Sequence, residues 1–180
     1  ARLVMVGDGP IRAECEALAQ SLGVAGRVDF VGARDHRYVA DLLGRAEVFL
    51  QHSVTSASGE TEGLPSAIQE AMAAGAVVVA TRHAGIPEIV LDGQTGRLVD
   101  EHDIDGCAAA LSDVLGGAAS SARMAGAARR FAEEGMRVVG TIRSIELYTL
   151  AAKFQNVTTR QVAKIQLDID REGEYARLIQ

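Results

Sequence analysis

A parallel α/β sheet, doubly wound with helices on both faces, is the fold class this 180-residue sequence predicts. Three observations lead there. Short apolar or β-branched runs alternate with helical stretches at intervals of about 20 residues, the rhythm of βαβ units. Each run is only a few residues long and is closed by Gly, Asp or His, as strands buried on both faces are. Hydrophobic residues make up 48% of the chain, enough for a sizeable core and too many for a disordered polymer.

Strands are expected at Leu3–Val6, Val28–Val31, Val48–Leu50, Val77–Ala80 and Arg97–Val99. Between them, helices are expected at Ile11–Leu22, His36–Arg45, Ser66–Ala74 and Ile104–Leu115, with a short turn near Pro87–Leu91. In the first helix Ile11, Cys15, Leu18 and Leu22 recur at i, i+4, i+7 and i+11, a one-sided stripe. From Ser120 to Ala152 the signal is helical throughout, and the stretch from Val157 to Ile179 also reads as helix.

Net charge is −6, which argues against a nucleic-acid partner held by a general electrostatic footprint. Cys15 and Cys107 stand far apart with no metal-ligand pattern and read as reduced thiols. No apolar run approaches the ~20 residues a bilayer span needs, so the expectation is a cytoplasmic protein. The two ends are unusual. Ala1 leads straight into a strand, as in an excised fragment. Lys and Asn are absent up to Ala152, after which Lys153, Lys164 and Asn156 appear. That shift divides the chain into a domain at 1–152 and a helical tail at 153–180, the latter expected to be either mobile or engaged with another molecule.

An open parallel sheet binds ligands beyond the carboxyl ends of its strands, so the loops after the strands hold the candidates. Gly7-Asp8-Gly9-Pro10 has two glycines between strand and helix, as dinucleotide-binding turns do, but Arg12 takes the third-glycine place. A structural turn and a ligand loop both remain open there. Gly32-Ala33-Arg34-Asp35 either caps the next helix through Asp35 or lines a nucleotide base with its backbone. Glu62-Gly63-Leu64-Pro65-Ser66 carries the most information. Pro65 pre-sets a helix start, and the unpaired amides of a first helical turn suit a phosphate. Glu62 precedes that turn and Glu70 lies beyond it by about one turn of helix. Carboxylates do not serve a phosphate, but they accept hydrogen bonds from sugar or ribose hydroxyls.

The run from Glu62 through Gln69-Glu70 to Gly75 resembles the Glu-x7-Glu signature of the retaining glycosyltransferases with a GT-B fold. Val77–Thr81, Gly85-Ile86-Pro87-Glu88 and Asp92-Gly93-Gln94-Thr95-Gly96 are similar to the segments downstream of that signature in the family, and Val4–Pro10 matches as well. Four ordered motifs agree in spacing from about Arg2 to Leu150. His52-Ser53-Val54-Thr55 through Gly63 is most like the bacterial exopolysaccharide branch.

The resemblance implies that the chain is the Rossmann-like donor half of such an enzyme, lacking the acceptor domain and the opening strand with its phosphate-neutralising Arg and Lys. It assigns the donor sugar to Glu62 as the catalytic carboxylate and the ribose to Glu70. The diphosphate falls to Gly63, Leu64, Pro65 and Ser66, chiefly the amides of Leu64 and Ser66, and the base to Ala33 and Arg34. It implies transfer with retention, no metal and no cofactor beyond the nucleotide-diphosphate sugar. The acceptor would be a glycan or lipid-linked sugar, reached at the inner face of the membrane. Where the family usually shows a glycine pair, this chain has Ala84 before Gly85. An interaction module that has lost catalysis and an NAD-binding oxidoreductase domain are the alternatives, the latter countered by Arg12.

Overall fold

The computed structural model describes residues 1–139 except 57, 58 and 60–62. The tail at 153–180, its boundary and the expected helix beyond 139 lie outside the described residues. The chain divides into a unit Ala1–Ala132 and a unit Glu133–Gln180. The first unit holds all five strands and the candidate site.

Those strands, β1 (Leu3–Val6), β2 (Val28–Gly32), β3 (Val48–Gln51), β4 (Val77–Thr81) and β5 (Gly96–Val99), stand within one or two residues of their expected bounds. They alternate with α1 (Arg12–Ser21), α2 (His36–Leu43), α3 (Ser66–Ala74), α4 (Ile86–Ile89), α5 (Ile104–Gly116) and α6 (Ala118–Val139). A 3-10 turn at Ala25–Arg27, which the periodicity did not announce, leads into β2.

Every ladder is parallel, as the α/β pattern requires, but the strands form two sheets rather than one. β1 pairs with β2, and β3-β4-β5 form a second sheet. Among the described residues no ladder joins β1 to β3.

β4 explains why the second sheet is the core. All five of its residues are buried. Because successive strand residues point to opposite faces, Val78 and Ala80 pack with Ile68, Met72, Ile86 and Val90, whereas Val77 and Val79 pack with Ala110 and Val114 of α5. An apolar run without alternation is thus covered on both sides. α3 ends at Gly75, whose φ of 87° closes the helix in the left-handed conformation that glycine adopts without strain.

The stripe on α1 is present but faces outward. Ile11, Leu18 and Leu22 are each more than half exposed, and Ala19 is the residue of this helix that is buried. Leu3, Met5 and Val6 of β1 are exposed as well. Periodicity identifies the apolar face of a helix, but only the surrounding elements determine whether anything covers it.

Candidate functional site

The site assembles around the start of α3. Pro65 is buried with φ −62° and ψ 122°, extended enough to precede the helix without entering it. The Pro65 carbonyl accepts the Ile68 amide at 3.1 Å. The amides of Ser66 and Ala67, the first two residues of the helix, have no carbonyl four residues back within it. Leu64 packs on the core cluster below, and the Gly63 carbonyl accepts the Gly85 amide at 3.3 Å. The turn before α4 therefore braces the turn before α3. Ala84, in the place of the expected glycine, has φ 45°, the left-handed region where a side chain is strained.

Glu70 is the fifth residue of α3, on the side away from buried Ile68, Ala71 and Met72. Its Oε2 lies 3.9 Å from Nδ1 of His36, the first residue of α2. His36 follows Arg34 by two residues, so the contact ties the start of α2 to α3. Asp35 caps α2, accepting the Tyr38 amide at 2.8 Å, and the Arg34 guanidinium lies 5.2 Å from the centre of the Tyr38 ring. The Asp35 side chain thus caps the helix, while Ala33 and Arg34 beside it stay exposed. Glu62 lies outside the described residues.

The Gly7–Pro10 turn is built as a brace. The Gly7 amide donates to the Gly32 carbonyl at 2.9 Å, joining the carboxyl ends of β1 and β2. Arg12 donates to Glu16 at 2.8 Å and to the Phe30 carbonyl at 3.2 Å. Arg12 itself stands in the third-glycine position of a dinucleotide turn. The helix starts at Arg12, so Pro10 sits in the turn before it rather than in its first turn.

The 92–96 motif is likewise scaffold. Asp92 accepts the Leu98 amide at 3.0 Å and pairs with Arg82 at 3.0 Å and Arg97 at 3.4 Å. Burial raises its carboxyl, but the Leu98 amide and the two arginines outweigh that and hold it below the usual carboxylate range. The Thr95 hydroxyl donates to the Ile89 carbonyl and accepts the Leu91 amide.

Two residues that sequence reasoning passed over, His83 and Glu101, stand beyond the carboxyl ends of β4 and β5. His83, 1% exposed, has Nδ1 2.6 Å from Oε1 of Glu101. The other Glu101 oxygen accepts the Thr55 amide at 2.8 Å, and the Thr81 hydroxyl donates to the Ser53 carbonyl at 2.5 Å. The His83 ring, and after it the Thr55 amide, hold the Glu101 carboxyl below the usual range. His83 Nε2 is buried without a hydrogen-bond partner among the described residues, a circumstance that costs about 1–3 kcal/mol for a typical group. In the sequence each of these residues comes after a predicted strand, which was the one available signal.

The family described as "Glycosyl transferases group 1" matches residues 1–131. A GDP-mannose-dependent alpha-(1-6)-phosphatidylinositol monomannoside mannosyltransferase of Mycolicibacterium smegmatis is 37% identical over 131 residues, 72% of this chain and 34% of that protein. An amylovoran biosynthesis glycosyltransferase of Erwinia amylovora is 35% identical over 107 residues, 59% of this chain and 26% of that protein. Among solved structures, Anabaena Alr3699/HepE in complex with UDP-glucose superposes with a TM-score of 0.68 at 26% identity, covering 84% of this chain and 41% of that one. The chain thus spans about a quarter to a third of the length of the curated relatives it matches.

Proposed function

From the premise that this chain belongs to the group 1 glycosyltransferases, we propose that it forms the donor half of an enzyme that transfers a sugar from a nucleotide diphosphate to a glycan or lipid-linked acceptor in exopolysaccharide assembly. The observation that carries the reading is the placing of Glu70 on α3: the carboxylate shares a short helix with the open amides of its first turn and lies 3.9 Å from His36, which opens α2 two residues after the exposed Arg34.

Each part has a distinct task. The helix start, with the backbone of Gly63 to Ser66, takes the diphosphate through amides that carry the positive end of the helix dipole. Glu70 accepts hydrogen bonds from the ribose, and Ala33 and Arg34 edge the base. Glu62 faces the sugar, where positive charge grows as the glycosidic bond breaks, so its carboxylate acts more strongly on the transition state than on bound donor. The leaving phosphate takes the acceptor's proton on the same face of the sugar, giving retention without a protein nucleophile. A second domain supplies the acceptor, and no metal is required. Work at the inner face of the cell membrane fits a lipid-linked acceptor; among the described residues no helix is long and apolar enough to cross a membrane.

Thermal melts of the 180-residue chain test the reading. UDP-glucose or GDP-mannose at ten times its dissociation constant should stabilise the fold by about 1.4 kcal/mol. NAD should leave the melt unchanged. Stabilisation by NAD alone would overturn the assignment in favour of a dinucleotide domain.

A further inference from the structure

The pair of buried His83 and half-buried Glu101 joins loops from three adjacent strands, and no step of the proposed donor site uses it. His83 is rigidly set. Its amide donates to the Thr81 carbonyl at 2.8 Å and its carbonyl accepts the Ile86 amide at 3.0 Å, which pins its backbone at the end of β4, and its ring is buried against Glu101. Glu101 lies just past β5 and has its two oxygens divided between two tasks, one on the ring and one on the Thr55 amide. Thr55 belongs to the segment after β3, which the Thr81 hydroxyl also holds at the Ser53 carbonyl. That segment runs on to Glu62, seven residues beyond Thr55.

We propose that Glu101, seated on buried His83, is a positioning residue that fixes the segment after β3, at residues 53–56, by accepting the Thr55 amide. A forked side chain of this length is required, with an acceptor oxygen for the Thr55 amide and a second polar atom for the ring. A single polar atom would leave either the ring or the segment unheld, and a shorter side chain would span only one of the two. The imidazole keeps the carboxylate from turning outward to water, which is the reason for burying a histidine at a strand end that an apolar residue could fill. The inference rests on the proposed function for its consequence, since the chain continues from this segment to Glu62, the residue proposed to act on the sugar.

Two measurements on the 180-residue chain test it separately. Amide exchange at Thr55 should quicken at least tenfold in Glu101→Ala, while Val78, Val79 and Ala80 in β4 keep their protection. Glu101→Gln, equally long and still an acceptor, should restore most of the protection, whereas Glu101→Asp should not. Unchanged exchange at Thr55 in Glu101→Ala overturns the proposal whatever the protein binds. Titration then reads the consequence. Glu101→Ala should weaken UDP-glucose about tenfold and UDP much less, because the segment serves the sugar end of the donor. Equal weakening of both probes would mark Glu101 as a general structural residue and overturn the positioning role. Failure of the wild-type chain to bind either probe would count against the proposed function, and the exchange rate would still decide whether Glu101 holds the segment.

Discussion

Gly96 opens β5 inside a stretch that resembles a catalytic-family motif, yet the structure makes it a packing residue, and Gly96→Ala tests this directly. Gly96 lies opposite Val78 of β4. A β-carbon there would stand 2.6 Å from the Val78 carbonyl oxygen and 2.7 Å from Val90 Cγ1. Neither neighbour can yield easily. The carbonyl is part of the central strand's backbone, and Val90 is wholly buried. Inserting a methyl group into a filled core costs about 1–3 kcal/mol, and a backbone obstacle puts this site at the upper end. A loss of about 3 kcal/mol lowers Tm by roughly 6–12 °C for a chain of this size. Gly116→Ala is the matched control. Gly116 is the last residue of α5, with nothing within 4 Å of the place a β-carbon would take. Alanine there should stabilise by roughly 0.5–1 kcal/mol through better helix propensity. Both effects are read by thermal and urea melts. A Gly96→Ala protein that melts within about 2 °C of wild type would refute the packing argument, because no relaxation short of moving β5 clears both contacts.

Ala84→Gly relieves a left-handed φ of 45° and should stabilise by roughly 0.5–1 kcal/mol, seen as a small rise in Tm; a fall would show that the Ala84 methyl is held by packing. Asp92 has its folded carboxyl held below the ordinary value, so its contribution is present above about pH 4 and disappears as pH falls through the lowered value. Asp92→Asn should therefore lower stability at pH 7 and make it less sensitive to acid than wild type below pH 4, and parallel acid slopes in the two proteins would rule this out. With an acceptor domain joined to the chain, Glu70→Ala should raise KM for the donor more than it lowers kcat, whereas Glu62→Ala should lower kcat by roughly 100-fold. Wild-type turnover in Glu62→Ala would remove that residue from the site. EDTA should leave turnover in the joined protein unchanged, and restoration of lost activity by a divalent cation would contradict the metal-free reading.

The strand runs were legible because an apolar stretch of four or five residues bounded by Gly or Asp has few other uses. Val77–Thr81, without polar alternation, already requires cover on two faces, and β4 has it. The start of α3 was equally legible, since Pro65 fixes φ and Gly75 accepts the left-handed turn, both properties of single residues. The division of five strands into two sheets was not legible, because pairing depends on which strand edges meet and no residue type encodes that. Arg12 shows the same limit on a smaller scale: its type argues against a dinucleotide turn, but its grip on the Phe30 carbonyl appears only once β1 and β2 lie side by side.

By itself the sequence determined the element types, the order of the post-strand loops and the resemblance that points to the donor site, because each of these is written in local spacing and single-residue chemistry. Tertiary structure alone decided that the α1 stripe faces outward, that Gly96 is a contact, that His36 meets Glu70, and that Thr55, His83 and Glu101 meet. Those residues are separated by as many as 46 positions, and their meeting results from parallel strands that deliver all their carboxyl ends to one edge of the sheet.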